Sequence, residues 1–388
     1  MKTGAYTEPC PPEGGTGPVV TPEAVGCLFR PRRRDLAAIA AAALALRLIV
    51  AVLSMYRVGA TPEEFAHFRD GRSYIRVAQA MRGYGDDLRL FDMRVFPGYP
   101  ALIAGANAIG LDYHWGALLL NWAGAALAAA LAAVLFADCR IGWAMAVLTP
   151  SYLMYTSLAM SEATLMAFIG GGMALAAGGA WVAGGIFLGF AGLVRPVAAF
   201  AVAGFLTWAL GRGRHMAAVC VGLAALAVVA APVVATVVQG GDALEGLRIY
   251  AGDSRAYDGE PLTWPFKSLV MVPLRQQPTL WKVAYIYAHV VVTLAGCILA
   301  ALRFRVKPSA KPSRADMLAA AAPVWLWLNT LFCLSIGAHW GFQEFHRFMV
   351  PALPPLYWAF GRWLPVRWSY WGVIGAVSAV LAVWGATH

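Results

Sequence analysis

The chain has 388 residues, of which 60% are hydrophobic and only 13% are charged, and its mean hydropathy is +0.63. A soluble domain keeps a largely polar surface, so this composition excludes one and indicates many apolar membrane spans of about 20 residues. The formal net charge is +10, but the basic residues lie between apolar stretches, which is typical of topology determinants and lipid contacts. We therefore predict an all-α integral membrane protein that contacts membrane lipids and no nucleic acid.

Residues 1–35 are predicted to be a disordered cytoplasmic tail, because this segment is rich in Pro, Gly and Thr and has few apolar groups to bury. Arg30 and the run Arg32 to Arg34 precede the first apolar span, "LAAIAAAALALRLIVAVLSMY". A basic flank stays on the cytoplasmic side of the membrane. The chain should therefore emerge outside the cytoplasmic (inner) membrane near Arg57, and residues 36–388 should form the transmembrane domain.

Ten further apolar stretches follow, which gives a bundle of about eleven transmembrane helices, several of them short for a bilayer. With this count, every compact basic cluster falls on the cytoplasmic side, as the positive-inside rule requires. These clusters are Arg140; Arg212 and Arg214; Arg303, Arg305, Lys307, Lys311 and Arg314; and Arg362 and Arg367. The predicted spans are approximately 114–136, 141–158, 161–180, 182–195, 197–211, 216–238, 283–303, 316–337, 347–361 and 369–387.

The first outer loop, residues 57–113, is predicted to contain two juxtamembrane helices. The segment "FPGYPALIAGANAIGL" would reverse every later helix if it crossed fully, so we interpret it as a half-buried outer helix begun by Pro97 and Pro100. The segment "SYIRVAQAM" has the spacing of an amphipathic helix lying in the membrane interface. Its apolar face comprises Tyr74, Ile75, Ala78 and Met81, and its polar face Arg72, Arg76 and Gln79.

Two carboxylates are the candidate catalytic residues. Asp70 directly precedes the amphipathic helix, where it is either an N-cap or a general base directed at a substrate hydroxyl. Glu162 begins a later span in "SLAMSEATLMAF", where a first-turn carboxylate is favoured by the helix dipole. Pointing it into lipid would cost about a few kcal/mol, so Glu162 should face a polar cavity.

Two arginines are the main candidates for binding a phosphate. Arg195 lies in "FAGLVRPVAAF", where it either pairs with a structural carboxylate or binds a phosphate through its guanidinium fork. Arg347 follows His339, Glu344 and His346 in "AHWGFQEFHRFMVPALPPLYW", where snorkelling and interface aromatics are the alternative explanation. The other candidate substrate or phosphate contacts are His346, Arg69, Arg72, Tyr99 and Lys267.

The long outer loop, residues 239–282, mixes aromatic and charged side chains, which suits sugar binding but is equally typical of an interfacial loop. The six cysteines are scattered and no H-E-x-x-H pattern occurs, so no cofactor is predicted; a divalent metal is compatible with the site but not indicated. The mixed residues of the loop are Tyr250, Tyr257, Trp264 and Phe266 with Arg255, Asp258, Glu260 and Lys267.

Four of these segments together resemble the GT-C superfamily of membrane glycosyltransferases, which use polyprenyl-phosphate sugars. An Asp after the first span, followed by an amphipathic segment and "FPGYPALIAG", is similar to the first outer loop of that superfamily. "SLAMSEATLMAF" resembles its acidic helix start, "GLVRPVAAF" its G-L-x-R-P segment, and "HRFMVPALPPL" its R-Y-x-x-P-A-L-P-P stretch. The resemblance covers most of residues 36–361.

The resemblance implies an inverting glycosyltransferase with a GT-C-like fold and its active site on the outer, periplasmic side. Asp70 would deprotonate the acceptor hydroxyl of a glycan, lipid or protein, and Arg195 and Arg347 would stabilise the leaving lipid phosphate. Protein O-mannosyltransferases and aminoarabinose transferases carry an Asp-Glu pair in this loop, whereas here Asp70 stands between Arg69 and Gly71. The chain therefore resembles the single-Asp members.

Two other functions compete with this one. A transporter or lipid flippase would need polar groups reachable from both sides and often has repeated halves. We find no internal repeat, and the candidate polar residues lie on one predicted face. A structural membrane subunit would use Asp70 and Glu162 only as helix caps.

Overall fold

The structure is a computed structural model that describes residues 31–84, 95–238, 242, 248–249, 262–276, 278–304, 314–337, 342 and 344–387. Most of the predicted tail, the greater part of residues 239–261 and His339 lie outside these ranges. The described residues are helical and contain no strand, apart from an isolated bridge between Leu262 and Ile336. The predicted all-α class is confirmed for this part of the chain.

The α-helices are numbered here in chain order, and short 3₁₀ turns join some of them. Those before residue 200 are α1 (Arg33–Val58), α2 (Pro62–Ala66), α3 (Gly71–Met81), α4 (Gly98–Ala108), α5 (Tyr113–Phe136), α6 (Cys139–Val147), α7 (Pro150–Ser157), α8 (Glu162–Ala177), α9 (Trp181–Val194) and α10 (Ala199–Gly211). The remainder are α11 (His215–Val238), α12 (Lys267–Gln276), α13 (Leu280–Phe304), α14 (Arg314–Ser335), α15 (Phe345–Phe348), α16 (Leu353–Ala359) and α17 (Trp368–Ala386).

Five of the described helices are long and apolar enough to cross a membrane, namely α1, α5, α11, α13 and α17. Helices α7 and α8 would together supply a sixth span, but they are bent by 103° at the break between them. The predicted count of about eleven spans is therefore not reached by length and composition. Prolines explain two of the differences: Pro150 separates α6 from α7 within 141–158, and Pro351, Pro354 and Pro355 divide 347–361 into short pieces.

Helix α5 lies at the centre of the bundle. Of its most apolar window, 56% is buried inside the protein, against 22–33% for the other four long helices. It packs against α1, α2, α4, α6, α8 and α14. Helices of the first loop and a helix far along the chain, α14, therefore pack against the same central helix.

The two short helices of the first loop form as predicted. Helix α3 buries Tyr74, Ile75 and Ala78 and exposes Arg72. Its buried face packs on α4 and α5, and its location in the membrane interface stays a prediction. Helix α4 has 11 residues, or about 16 Å of length, which is too short to cross a hydrocarbon core of about 30 Å.

Gly98 places the first turn of α4 directly against the end of α9. A Cβ added at Gly98 would lie 2.7 Å from both the carbonyl carbon of Leu193 and the amide nitrogen of Val194. Because these are backbone atoms, neither can move away as a flexible side chain would. Gly98 thus permits a close contact between α4 and the end of α9, and this contact positions Arg195, the residue that follows Val194.

We expect Gly98→Ala to lower the free energy of unfolding by about 1–3 kcal/mol, since the new methyl group overpacks two backbone segments. Gly105→Ala in the same helix is the matched control, because a Cβ there meets nothing within 4 Å. That control should be neutral or stabilising by about 0.5–1 kcal/mol. Thermal unfolding in detergent measures both variants, and equal behaviour would contradict the close contact.

Candidate functional site

The site is built around the break between α7 and α8. A sharp bend at residues 158–161 leaves carbonyl and N–H groups without helical partners, and such groups must be paired where water is excluded. Asn121 of α5, which is completely buried, supplies those partners. Its Nδ2 donates to the carbonyls of Tyr155 (3.1 Å) and Leu158 (2.7 Å), and its Oδ1 accepts from the N–H of Ala163 (3.1 Å). One side chain therefore holds both sides of the break.

Replacing Asn121 with leucine should leave these three buried backbone groups without partners. At about 1–3 kcal/mol for each such group, a loss of stability of about 3 kcal/mol or more is expected. Asn107→Leu is a suitable control, since Asn107 makes one exposed hydrogen bond, to the carbonyl of Leu111. Thermal unfolding should separate the two variants clearly, and a small shift for Asn121→Leu would refute this role.

The guanidinium of Arg347 joins the two predicted catalytic carboxylates. Its Nε donates to Oε1 of Glu162 and its NH2 to Oδ2 of Asp70, each at 2.5 Å. The NH2 of Arg195 lies 2.8 Å from the same Glu162 oxygen, and Oε2 of Glu344 lies 3.9 Å from NH1 of Arg347. We call these five residues the ion-pair cluster. Its members come from the α2–α3 turn, the start of α8, the end of α9 and α15, so four distant segments meet at one point.

Burial distinguishes the two carboxylates. The Glu162 side chain is 1% exposed and its Oε2 has no hydrogen-bond partner in the described part of the chain, whereas the Asp70 side chain is 31% exposed. Asp70 occupies the N-cap position of α3 without making a side-chain capping bond. Of the two alternatives for Asp70, the geometry thus disfavours a simple cap. Asp70 is the most exposed carboxylate of the cluster, since the Glu344 side chain is 16% exposed.

Arg195 is held by the α7–α8 break as well as by Glu162. Its Nε donates to the hydroxyl of Ser161 at 2.9 Å, and that hydroxyl lies 2.9 Å from the hydroxyl of Tyr74 in α3. The pairing of Arg195 with a carboxylate is therefore present. Phosphate binding by Arg195 stays a prediction, and it would add a ligand to an arginine that is already partnered.

Tyr155 lies beneath the cluster and connects it to His346. Its hydroxyl donates to Oε2 of Glu344 and lies 3.1 Å from Nε2 of His346. Burial and nearby basic side chains lower the pKa of His346 well below its usual value. A neutral His346 donates from Nε2 to the hydroxyl, since the hydroxyl proton is directed to Glu344. The guanidinium carbon of Arg347 lies 5.2 Å from the centre of the Tyr155 ring, a cation–π contact.

Arg69 adopts a backbone conformation that residues other than glycine rarely adopt. Its φ is +54°, in the left-handed region, which costs about 1–3 kcal/mol for a residue other than glycine. Arg69 lies in the turn between α2 and α3, and the residue after it, Asp70, contacts Arg347. The Arg69 side chain is exposed, and its guanidinium carbon lies 5.7 Å from the centre of the Tyr155 ring. The Arg69 guanidinium is therefore accessible to a negatively charged ligand beside the ion-pair cluster.

The other candidate contacts differ in their access to the site. Tyr99 is completely buried and donates to the carbonyl of Ala117 at 2.6 Å, while its ring packs edge-on against Tyr74; it supports Tyr74 rather than reaching a substrate. Arg72 is exposed on α3. Lys267 is half-buried at the first position of α12, a helix that packs on α14.

Sequence reasoning overlooked Arg47, which lies within the apolar span α1 and is completely buried. It donates to the carbonyl of Ala146 at 2.5 Å and to the hydroxyl of Thr156 at 3.0 Å. Arg47 thereby links α1 to the last turn of α6 and to α7. The signal was present, since an ionisable residue inside an apolar span always requires partners. Asn121 and Tyr155 had no comparable signal.

The described part of the chain is all-α, with five or six helices able to cross a membrane and a buried group of ion pairs where four segments meet. The sequence matches no protein-family model and no curated protein. Function must therefore be argued from the cluster itself.

Proposed function

We propose that this protein is an inverting glycosyltransferase of the GT-C type, which moves a sugar from a polyprenyl-phosphate donor to an acceptor hydroxyl on the outer face of the membrane. The observation that carries the proposal is the ion-pair cluster. Each of the four segments on which the GT-C resemblance rests contributes a charged residue to it, namely Asp70, Glu162, Arg195 and Arg347. The meeting of these four residues at one point supports the proposal.

Asp70 is the general base in this proposal, because it is the most accessible of the three carboxylates in the cluster. It accepts the proton of the acceptor hydroxyl while the hydroxyl oxygen forms a bond to the anomeric carbon of the donor. The bond from that carbon to the phosphate oxygen breaks on the opposite face, which inverts the configuration. The lipid phosphate leaves with the electron pair.

Arg347 and Arg195 supply the positive charge that the departing phosphate needs. Glu162 shares one oxygen with both guanidinium groups, so its role here is to hold the two arginines together near Asp70. This differs from a direct catalytic role for Glu162, which remains an alternative. Arg69, exposed beside the cluster, is a further contact for the donor phosphate.

The experiment is an assay of the purified protein in nanodiscs with a panel of polyprenyl-phosphate sugars. Release of polyprenyl phosphate with transfer of the sugar to an added alcohol or glycan supports the proposal. A parallel assay in sealed proteoliposomes follows movement of the intact donor across the bilayer. Movement without cleavage of the sugar–phosphate bond would replace the enzyme by a flippase, which is the second function considered from the sequence.

A further inference from the structure

A cavity of about 300 Å³ lies between α1, α6 and α17 and shares no lining residue with the ion-pair cluster. This volume is at the lower end of the range for ligand pockets, which is about 300–1,000 Å³. The cavity suits one extended hydrocarbon chain rather than a large folded ligand. Its lining residues are Ala42, Ala45, Leu46, Trp143, Val147, Trp368, Trp371, Gly372 and Gly375.

The cavity opens on the outside of the bundle. Ala45, Trp368 and Gly372 are exposed at its mouth, whereas Val147 and Gly375 are buried at its floor. The surface beside the mouth is also apolar, since Val373 on α17 is 64% exposed. Because α1 and α17 are long and apolar enough to cross a membrane, we expect this entrance to face the hydrocarbon of the lipids.

One polar group in the lining lacks a partner. The indole Nε1 of Trp143 is buried and has no hydrogen bond within the described residues. The Trp143 ring packs edge-on against Trp368, with 4.7 Å between the ring centres. An indole N–H can only donate, so the group that satisfies it must carry a hydrogen-bond acceptor, which a phospholipid supplies in its ester and phosphate oxygens. A pure hydrocarbon would leave this donor unpaired.

Two exposed arginines lie on the N-terminal side of the cavity-lining residues in α1 and α17. Arg367 is exposed and directly precedes Trp368. Arg34 is exposed on α1, eleven residues or about three turns before Ala45, and therefore on the same helix face. Both arginines belong to the side that the positive-inside rule predicts to be cytoplasmic, where anionic lipid headgroups attract basic residues.

We propose that this cavity binds one anionic glycerophospholipid of the cytoplasmic leaflet. An acyl chain occupies the apolar cleft, an ester or phosphate oxygen accepts from the N–H of Trp143, and the headgroup charge lies near Arg34 and Arg367. The inference rests on the cavity, the unpaired donor and the charge, and it does not depend on the glycosyltransferase proposal.

Native mass spectrometry of the protein from nanodiscs of equal phosphatidylglycerol and phosphatidylcholine tests the site. Gly372→Leu places a large side chain at the mouth of the cavity. The fold should tolerate it, because a Cβ at Gly372 meets nothing within 4 Å and leucine is a better helix former than glycine. Retained phosphatidylglycerol should fall by roughly tenfold or more, since displacing even about two buried methylene groups has that effect. Val373→Leu, an exposed neighbour outside the lining, should retain the wild-type amount.

Two further variants resolve the polar contacts. Trp143→Phe keeps the ring but removes the N–H, and it should weaken retention while leaving the unfolding temperature nearly unchanged. Arg34→Gln with Arg367→Gln should reduce phosphatidylglycerol retention by roughly fivefold per arginine and remove the preference over phosphatidylcholine. Equal retention in Gly372→Leu and Val373→Leu would overturn the site. So would retention of added polyprenyl phosphate in place of phosphatidylglycerol, or a dimer that Gly372→Leu dissociates.

Discussion

Replacing Asp70 with asparagine is expected to lower the rate of sugar transfer by a factor of about 10²–10⁴, the usual contribution of a positioned general base. Asparagine has nearly the same shape and can still accept a hydrogen bond from NH2 of Arg347, which now donates to Asp70. It cannot take up a proton at neutral pH. The donor should therefore still bind, and the loss should appear in kcat rather than in KM. Steady-state kinetics in nanodiscs measures both constants.

Glu63→Gln is the matched control for Asp70→Asn. Glu63 is an exposed carboxylate in α2 of the same outer loop, and its replacement changes the net charge of the loop by the same amount. If the loop charge alone mattered, both variants would lose activity equally. Full activity in Asp70→Asn would remove Asp70 from the mechanism. An equal loss in both variants would mean that Asp70 acts only through its negative charge and not as a general base.

Composition was sufficient to predict the helical class of the described residues, whereas the short helices α3 and α4 were predicted from amphipathic spacing, from two prolines and from the distribution of basic residues. Hydrophobic periodicity reports which face of a segment is buried, as it did for Tyr74, Ile75 and Ala78. It does not report what covers that face, so the packing of α3 on α4 and α5 could be seen only in the structure. The positive-inside argument placed Asp70, Glu162, Arg195 and Arg347 on one side, and their ion pairs are compatible with that placement.

The pairing within the site was beyond sequence reasoning for a physical reason. Arg347 contacts Asp70, which is 277 positions away in sequence, and Glu162, which is 185 positions away; local spacing carries no record of such contacts. The predicted spans 141–158 and 161–180 already meet at residues 158–161, but the 103° bend between α7 and α8 was not predicted, because "SLAMSEATLMAF" is apolar on both sides of it. What stabilises the break is Asn121, a single amide within an alanine-rich helix. Only the folded chain shows that its partners are backbone groups.

Replacing Arg347 with methionine should have the largest effect on stability. The Arg347 side chain is 9% exposed and bridges two carboxylates, and removing one partner from a buried ion pair costs about 3–5 kcal/mol because a buried charge is left uncompensated. Arg347→Lys keeps the charge but cannot reproduce the two-pronged contact of the guanidinium. We therefore expect thermal unfolding in detergent to rank the wild type above Arg347→Lys and Arg347→Met last. Arg72→Met, which removes an exposed arginine of α3, should stay within about 0.5 kcal/mol of wild type.

The origin of this loss can be tested by removing the stranded partner as well. If the cost of Arg347→Met comes from leaving Glu162 buried without its counter-charge, adding Glu162→Gln should restore part of the lost stability. The double variant would then unfold at a higher temperature than Arg347→Met alone, although Arg195 would donate to a neutral amide oxygen in place of the Glu162 carboxylate. Simple additivity of the two losses would instead mean that Arg347 stabilises the fold through packing on Tyr155. The sign of the coupling free energy between Arg347→Met and Glu162→Gln therefore shows whether electrostatic attraction or side-chain packing stabilises the cluster. A bound phosphate would benefit only from electrostatic attraction.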